Sequence, residues 1–155
     1  MGNTLNRFKI FLNSRKIFKN WYLYLLIYLN ITNSKHKIFE TNFGMKMKIR
    51  VKSTDLMQLT TIWVVNEYDY PDFEIKEDYT IIDIGGHIGL FALYCNQFTK
   101  TGKIFSFEPI KENYDMFLEN MKINGFENIM PHNLAVTKTE GNIPIYLNND
   151  ESGHS

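Results

Sequence analysis

The segment IIDIGGHIGLF, residues 81–91, constrains the fold of this chain more than any other segment. A short apolar run leads into glycines and then into apolar residues at helical spacing. Glycines at such a crossover let the backbone turn sharply and let a ligand approach the main chain closely. Unpaired amides at the start of a helix add hydrogen-bond donors and a positive dipole end. The segment therefore predicts a buried strand, a ligand-binding turn and a helix, with Asp83 near the ligand-binding end of the strand.

Beyond this segment, predicted strands and helices continue to alternate along the chain. KIFSFEP, residues 103–109, predicts a second strand, residues 111–124 a helix, and residues 128–136 a third strand region. A fourth strand candidate follows at residues 143–147. Strands that alternate with helices predict an α/β fold, in which a parallel sheet has right-handed crossovers and helices on both faces.

The residues before this alternation are less regular. Residues 5–31 are predicted to be helical, residues 38–52 to form a strand or hairpin, and residues 54–66 to form another helix. In the hairpin region the predicted apolar face comprises Phe43, Met45, Met47, Ile49 and Val51.

A length of 155 residues accommodates one ordinary domain. We divide it into an N-terminal helical segment (1–37), lead-in strands and a helix (38–79), and a core (80–155). The 17 basic and 17 acidic residues cancel, so no global charge favours nucleic acid or anionic lipid. Cys95 is the only cysteine, which fits a reducing, cytoplasmic location, and no metal-ligand spacing occurs among the histidines.

The N-terminal segment contains IFKNWYLYLLIYLNI at residues 17–31. Its uninterrupted apolar run, residues 21–29, is shorter than the roughly 20 residues that span a bilayer. No small-residue cleavage site follows, which argues against a signal peptide. The favoured interpretation is an aromatic-rich helix packed on the domain. A membrane-surface or partner-binding helix, and a membrane anchor, are the alternatives.

The glycine-rich turn distinguishes two ligand classes. A dinucleotide-binding G-x-G-x-x-G pattern fails twice, because His87 and Leu90 occupy its second and third glycine positions. The D-x-G-x-x-x-G spacing typical of methyltransferases is satisfied by Asp83, Gly85 and Gly89, with Gly86 between them. A tight turn without a ligand is the alternative. We interpret His87 as part of the turn, or as a contact to the methionine end of a cofactor, in preference to a general base.

Two further positions complete the candidate site. Glu108 ends the second strand beside the glycine turn, where its carboxylate can accept hydrogen bonds from both hydroxyls of a ribose, and Pro109 then ends the strand. The end of the third strand is expected to border an adenine ring. There the Asn133 amide would pair with the adenine edge, and Leu134 and Ala135 would line the ring. A turn asparagine beside core residues is the alternative for Asn133.

These motifs, in this order and spacing, resemble the FkbM family of methyltransferases. IIDIGGHIGLFALY, FSFEPIKENYDMFLENMKING and NLAV carry the resemblance, and YDYP at residues 68–71 is similar to the family's lead-in. The family's FEP-x-x-x-N-x-x-x-L-x-x-N pattern is met by Phe107, Glu108, Pro109, Asn113, Phe117 and Asn120, where Phe117 replaces the usual leucine. A departure is His87, where the family often has alanine or asparagine.

The resemblance covers roughly residue 48 to the end of the chain. It implies a Rossmann-like class I methyltransferase fold, S-adenosyl-L-methionine as cofactor, and an oxygen of a sugar, glycolipid or small metabolite as methyl acceptor. No catalytic base is assigned, and no nucleic-acid partner is expected. The alternatives are a relative that binds the cofactor without catalysis and a nucleotide-binding module of another class.

A domain of this class has a seven-stranded sheet, and the sequence supplies three of its parallel strands. We therefore expect the domain to be incomplete at its C-terminus. An open edge on the glycine strand would then expose unpaired backbone groups. The isolated chain is accordingly expected to be poorly stable or aggregation-prone and to lack methyl-transfer activity.

Overall fold

The computed structural model describes residues 2–71, 74–142 and 144–145, with side chains from residue 9 onward. The N-terminal half contains two helices, a hairpin and a third helix that continues as a π-helix: α1 (Gly2–Ile17), α2 (Tyr22–Tyr28), β1 (His36–Glu40), β2 (Lys46–Arg50), α3 (Asp55–Leu59) and the π-helix (Thr60–Val65). The C-terminal half alternates strand and helix: β3 (Ile81–Ile84), α4 (Leu90–Asn96), β4 (Ile104–Phe107), α5 (Lys111–Asn124) and β5 (Ile129–His132).

The C-terminal half forms a three-stranded parallel sheet in the order β3-β4-β5. The register aligns Ile81, Ile104 and Ile129, whose side chains lie on the face that packs against α4 and α5. Gly125, in the left-handed conformation, ends α5 where the sequence predicts it. This alternation of parallel strands and helices confirms the α/β, Rossmann-like fold class.

The prediction that helices cover both faces of the sheet is wrong for the described residues. On the face opposite α4 and α5, the Ile82 and Ile84 side chains are each 66% exposed. The alternating strand geometry places Phe105 and Phe107 on this same face. Within the described residues, the outward side chains of β3 therefore lack a close-packed covering layer.

The predicted helix over residues 5–31 is two helices. The chain leaves the helical path at Phe18, which forms an antiparallel bridge with Thr41. The Asn20 side chain binds the β1 backbone, donating to the Ile38 carbonyl at 2.8 Å and accepting from the Glu40 amide at 3.0 Å. A contact with a strand about 20 residues away thus interrupts a helical pattern that is locally continuous.

The predicted strand or hairpin is an antiparallel hairpin, β1–β2. Met45, Met47 and Ile49 are buried as expected, but Phe43 is an exposed residue of the connecting turn. Val51 lies beyond the end of β2 and is half-buried. The predicted five-residue face is therefore wrong at its two ends, because the strand itself spans five residues.

The predicted helix over residues 54–66 begins as α3 and widens into the π-helix. Thr60 donates its hydroxyl to the Leu56 carbonyl at 2.6 Å, and its oxygen also lies 2.9 Å from the Tyr24 hydroxyl. Such back-bonding competes with the regular backbone ladder of an α-helix. Asn66 ends the segment in the left-handed conformation.

Asn120 joins the hairpin to the Rossmann-like half. Its Oδ1 accepts from the Lys48 amide at 2.7 Å, and its Nδ2 donates to the carbonyls of Lys48 and Ile88 at 3.0 and 2.9 Å. Asn120 is fully buried, so its amide satisfies backbone groups that water does not reach. β2, α5 and the turn before α4 are thereby held in one arrangement.

No helix within the described part of the chain has both the length and the apolar character needed to cross a membrane. Of the fourth strand candidate at 143–147, Pro144 and Ile145 are described and are not in a strand. The other residues of that candidate lie outside the described residues.

Candidate functional site

The glycine loop, residues 85–89, connects β3 to α4 at the carboxyl end of the parallel sheet. The amides of Gly85 and Gly86 donate to the Phe107 carbonyl at 2.9 and 3.0 Å, which fastens the loop to the end of β4. Gly89, at φ +86°, is the N-cap of α4. The loop thus lies at the edge where open α/β sheets bind ligands.

The glycines of this loop have different physical roles. A Cβ on Gly86 would lie 2.1 Å from Ser106 Oγ, and one on Gly89 would lie 2.3 Å from the Phe117 ring. Both residues are therefore required for packing. Gly85 has φ +87°, but a Cβ there would meet nothing within 4 Å. Gly85 is consequently the point where a ligand can approach the backbone.

Glu108 binds the glycine loop directly. Its Oε2 accepts the His87 amide at 2.8 Å, and its Oε1 accepts the Ile110 amide at 2.8 Å and Asn113 Nδ2 at 3.5 Å. The residue is 4% exposed. The carboxylate therefore holds together the loop, the end of β4 and the start of α5, a role that its position at a strand end did not predict.

Asp83 is buried below the loop and bonded to the neighbouring strand. Ser106 donates its hydroxyl to Asp83 Oδ2 at 2.6 Å. Burial raises the pKa of the Asp83 carboxyl, the Ser106 hydrogen bond opposes that rise, and the charge of Glu108 adds to it. Asp83 thus has a structural role beneath the glycine loop, and its carboxyl group has limited access to solvent.

A polar cluster that the sequence did not predict adjoins the loop; we call it the Arg50 cluster. Asp55 is fully buried and accepts from Arg50 through both carboxylate oxygens, from Nη2 at 2.8 Å and from Nε at 3.0 Å. Arg50 Nη2 also donates to Asn113 Oδ1 at 2.8 Å and lies 3.3 Å from His87 Nε2. Arg50 and Asp55 thus brace the glycine loop through His87. The sequence patterns that predict the hairpin strand of Arg50 and the helix start at Asp55 do not indicate that the two residues pair.

His87 occupies a constrained position in this cluster. Its φ is +49°, which is uncommon for a residue other than glycine. Burial lowers the pKa of its imidazole, the negative charge of Asp55 opposes this, and Arg50 lowers the pKa further. Its Nδ1 is buried and has no hydrogen-bond partner among the described residues. The ring forms part of the wall of the cleft beside the glycine loop.

The predicted adenine-side residues lie beside Glu108. Asn133 Nδ2 donates to the carbonyls of Glu108 and Pro109 at 2.8 and 3.1 Å, so its amide group fixes the end of β4. Its Oδ1 is the atom left to accept a hydrogen bond. Leu134 is exposed and Ala135 is half-buried. The predicted residues on the three strand ends are therefore neighbours in space.

A cleft of about 270 Å³ extends from the glycine loop along the open face of β3. Its walls include side chains of the π-helix region and of α4: Gln58, Ile62, Tyr68, Leu90 and Phe91. The rings of Tyr68 and Phe91 pack with their centroids 4.4 Å apart. The cleft contains no group of three metal-ligating side chains within the described residues.

Cys95 on α4 is fully buried, and burial raises the pKa of its thiol to about 12, with a further contribution from the charge of Asp83. We expect a thiol-specific disulfide reagent at pH 8 to react with the folded chain far more slowly than with the chain in denaturant. The reason is that the thiolate is the reactive species and almost none is present in the fold at that pH. Equal rates in the two states would contradict this prediction.

No family model matches the sequence. Among curated proteins, the chain is similar to Methyltransferase 1 of Beauveria bassiana, at 26% identity over 94 residues, covering 61% of this chain and 37% of that protein. It is also similar to Methyltransferase sdnD of Sordaria araneosa, at 25% identity over 83 residues, covering 53% of this chain and 32% of that protein. The chain thus spans about a third of the length of the curated relatives it matches.

Solved structures with a similar arrangement include M. jannaschii TYW2 in complex with AdoMet, at 18% identity and a TM-score of 0.47, covering 64% of this chain and 43% of that one. Another is Aeropyrum pernix fibrillarin with bound S-adenosyl-L-methionine, at 17% identity and a TM-score of 0.40, covering 64% of this chain and 40% of that one.

Proposed function

We propose that this chain is the cofactor-binding part of an S-adenosyl-L-methionine-dependent methyltransferase. The observation that carries the proposal is the glycine loop, where Gly85 leaves the backbone open to a ligand and Glu108 lies directly beside it. Its spacing matches the methyltransferase pattern, and the two curated relatives are named methyltransferases. When bound, the cofactor supplies a sulfonium methyl group that an acceptor nucleophile attacks in line.

The residues present fit this ligand. A carboxylate has about four lone-pair sites, and Glu108 uses three of them for the His87 amide, the Ile110 amide and the 3.5 Å contact with Asn113. Oε2 can therefore accept one ribose hydroxyl, and a second hydroxyl would replace the long Asn113 contact at Oε1. The Asn133 Oδ1 accepts from the adenine amino group, while Leu134 and Ala135 cover the ring. Asp83, Gly86, His87, Gly89 and Pro109 shape the loop and the strand end that hold these groups.

The methyl acceptor is proposed to be an oxygen of a sugar, glycolipid or small metabolite, as the FkbM resemblance implies. The cleft beside the loop is the place where such an acceptor would bind, because it opens from Gly85 and His87 toward Tyr68. The protein's contribution is to align the acceptor with the methyl group. A second candidate function is cofactor binding without turnover.

The test is calorimetric titration of the chain with S-adenosylhomocysteine, NAD and ATP. S-adenosylhomocysteine is expected to bind and to bind more tightly than the other two. Tighter binding of NAD or ATP would reject the proposal. Incubation of labelled cofactor with cell extracts then distinguishes a methyltransferase from a relative that binds without catalysis.

Gly85→Ala should weaken binding of S-adenosylhomocysteine by about 1–2 kcal/mol, because a side chain at positive φ is strained and projects toward the ligand. Gly44→Ala is the matched control, since Gly44 has φ +95° and equally open surroundings but lies in the hairpin turn. Equal dissociation constants for the two variants would contradict the role assigned to Gly85.

A further inference from the structure

The charges of this chain are separated along the sequence. Residues 1–37 contain seven Lys or Arg residues and no Asp or Glu, whereas residues 38–155 contain ten basic and 17 acidic residues. The zero net charge therefore conceals a strongly basic N-terminal segment. Such asymmetry indicates an anionic partner for the basic part.

Within this segment, α2 is apolar on both of its faces. Leu23 and Tyr24 are buried against the core, as the favoured sequence interpretation expects. The opposite face presents Tyr22, Leu25 and the C-cap Leu29, spaced as i, i+3 and i+7, at 51%, 38% and 57% exposure. Ile31, at 64% exposure, follows directly. We call these four residues the outer stripe. A helix that is apolar on all sides needs a partner for its outer face.

Basic and aromatic side chains precede the outer stripe along the chain. Lys9, Arg15 and Lys16 of α1 are exposed and lie around one shallow depression. The Arg15 guanidinium packs over the Trp21 ring at 4.9 Å from its centroid. Exposed cations, a half-buried tryptophan under one of them, and exposed tyrosine and leucine form the composition that binds the interface of an anionic bilayer.

We propose that the basic N-terminal segment, through the outer stripe and the lysines of α1, docks the protein on an anionic lipid surface. The seven residues of α2 correspond to about 10 Å of helix, so it lies on the surface and does not cross it. Nucleic acid would be attracted by the cations alone. The large exposed apolar side chains of the outer stripe favour lipid, because they lose contact with water only in an apolar layer.

The experiment is sedimentation of the full chain with vesicles of phosphatidylcholine alone or with about 30 mol% phosphatidylserine. Binding is expected for the anionic vesicles, and it should weaken when salt is raised from about 0.1 to 0.5 M. Lys9→Gln/Lys16→Gln should lower the affinity roughly 30-fold. Leu25→Glu/Leu29→Glu should abolish sedimentation.

Matched controls come from exposed residues of other elements. Lys100→Gln/Lys122→Gln removes two exposed cations, and Leu118→Glu adds an acid at an exposed leucine of α5. These variants should bind anionic vesicles as the unchanged chain does, and circular dichroism checks that each variant is folded.

Three results would overturn the proposal. The first is equal binding of the unchanged chain to neutral and anionic vesicles, or an equal loss of binding to anionic vesicles in the test variants and in the control variants. The second is tighter binding to an RNA oligonucleotide than to vesicles, unaffected by Leu25→Glu/Leu29→Glu. The third is a dimer that this double variant dissociates, in a chain that does not sediment with lipid.

Discussion

Arg50→Ala is expected to lower the free energy of unfolding by about 3–5 kcal/mol. The Asp55 side chain is fully buried and that of Arg50 is 19% exposed, so the variant leaves a buried carboxylate without its cation. The same change removes the bond to Asn113 and the contact with His87. Chemical denaturation followed by circular dichroism measures the loss.

Lys48→Ala is the matched control for this variant. Lys48 lies two residues before Arg50 on β2 and pairs with Glu119, whose side chain is 53% exposed. Such surface pairs contribute about 0–1 kcal/mol. The double variant Arg50→Ala/Asp55→Ala should be destabilised by less than the sum of its single variants, because the pair is coupled. Equal losses for Arg50→Ala and Lys48→Ala would refute the bracing role of the Arg50 cluster.

Glu108→Ala is expected to weaken binding of S-adenosylhomocysteine by roughly 2–4 kcal/mol, since two hydrogen bonds to a charged acceptor are lost. This corresponds to a rise in the dissociation constant from about 30-fold to several hundred-fold. The variant also releases the His87 amide from the carboxylate, so a decrease in thermal stability should accompany the loss. Calorimetry and a thermal melt measure the two effects separately.

The two roles of Glu108 can be distinguished with a modified ligand. The unchanged chain should bind 5′-methylthioadenosine more tightly than its 2′-deoxy analogue, and Glu108→Ala should bind the two equally. A preference for the ribose form that survives in the variant would show that Glu108 acts only by holding the loop. Glu119→Ala is the control, because the Glu119 side chain on α5 is 53% exposed and pairs with Lys48, away from the glycine loop.

The sequence predicted the elements around the glycine loop more accurately than those before it. The helix at 111–124 has the predicted bounds, and all three parallel strands lie within the predicted segments. These elements combine apolar runs, helical periodicity and glycine stops within a few residues, so local patterns suffice. The continuous helix over residues 5–31 was wrong, since the Asn20 contact with β1 depends on a distant strand.

The residues of the candidate site likewise fall into those that local sequence patterns predicted and those that they missed. The glycine spacing predicted the positions of Gly85 and Gly89 in the turn, and the strand end predicted the position of Glu108 beside it, because these features are local. Pattern reasoning missed Arg50 and Asp55, which approach the loop only after the hairpin packs on α5 through Asn120. In the sequence, each is a charged residue of the kind that normally lies on the surface. Only tertiary packing buries it.

The sequence by itself therefore determined the parallel α/β core, the glycine turn between β3 and α4, and the acidic residue beside it. Only the tertiary structure decided how Glu108 uses its oxygens, which face of the sheet is covered, and which side of α2 is exposed. The physical reason is that strands, turns and helices follow from interactions within a few residues of chain. Burial and ion pairing depend on which distant segments come into contact, and no local periodicity encodes that choice.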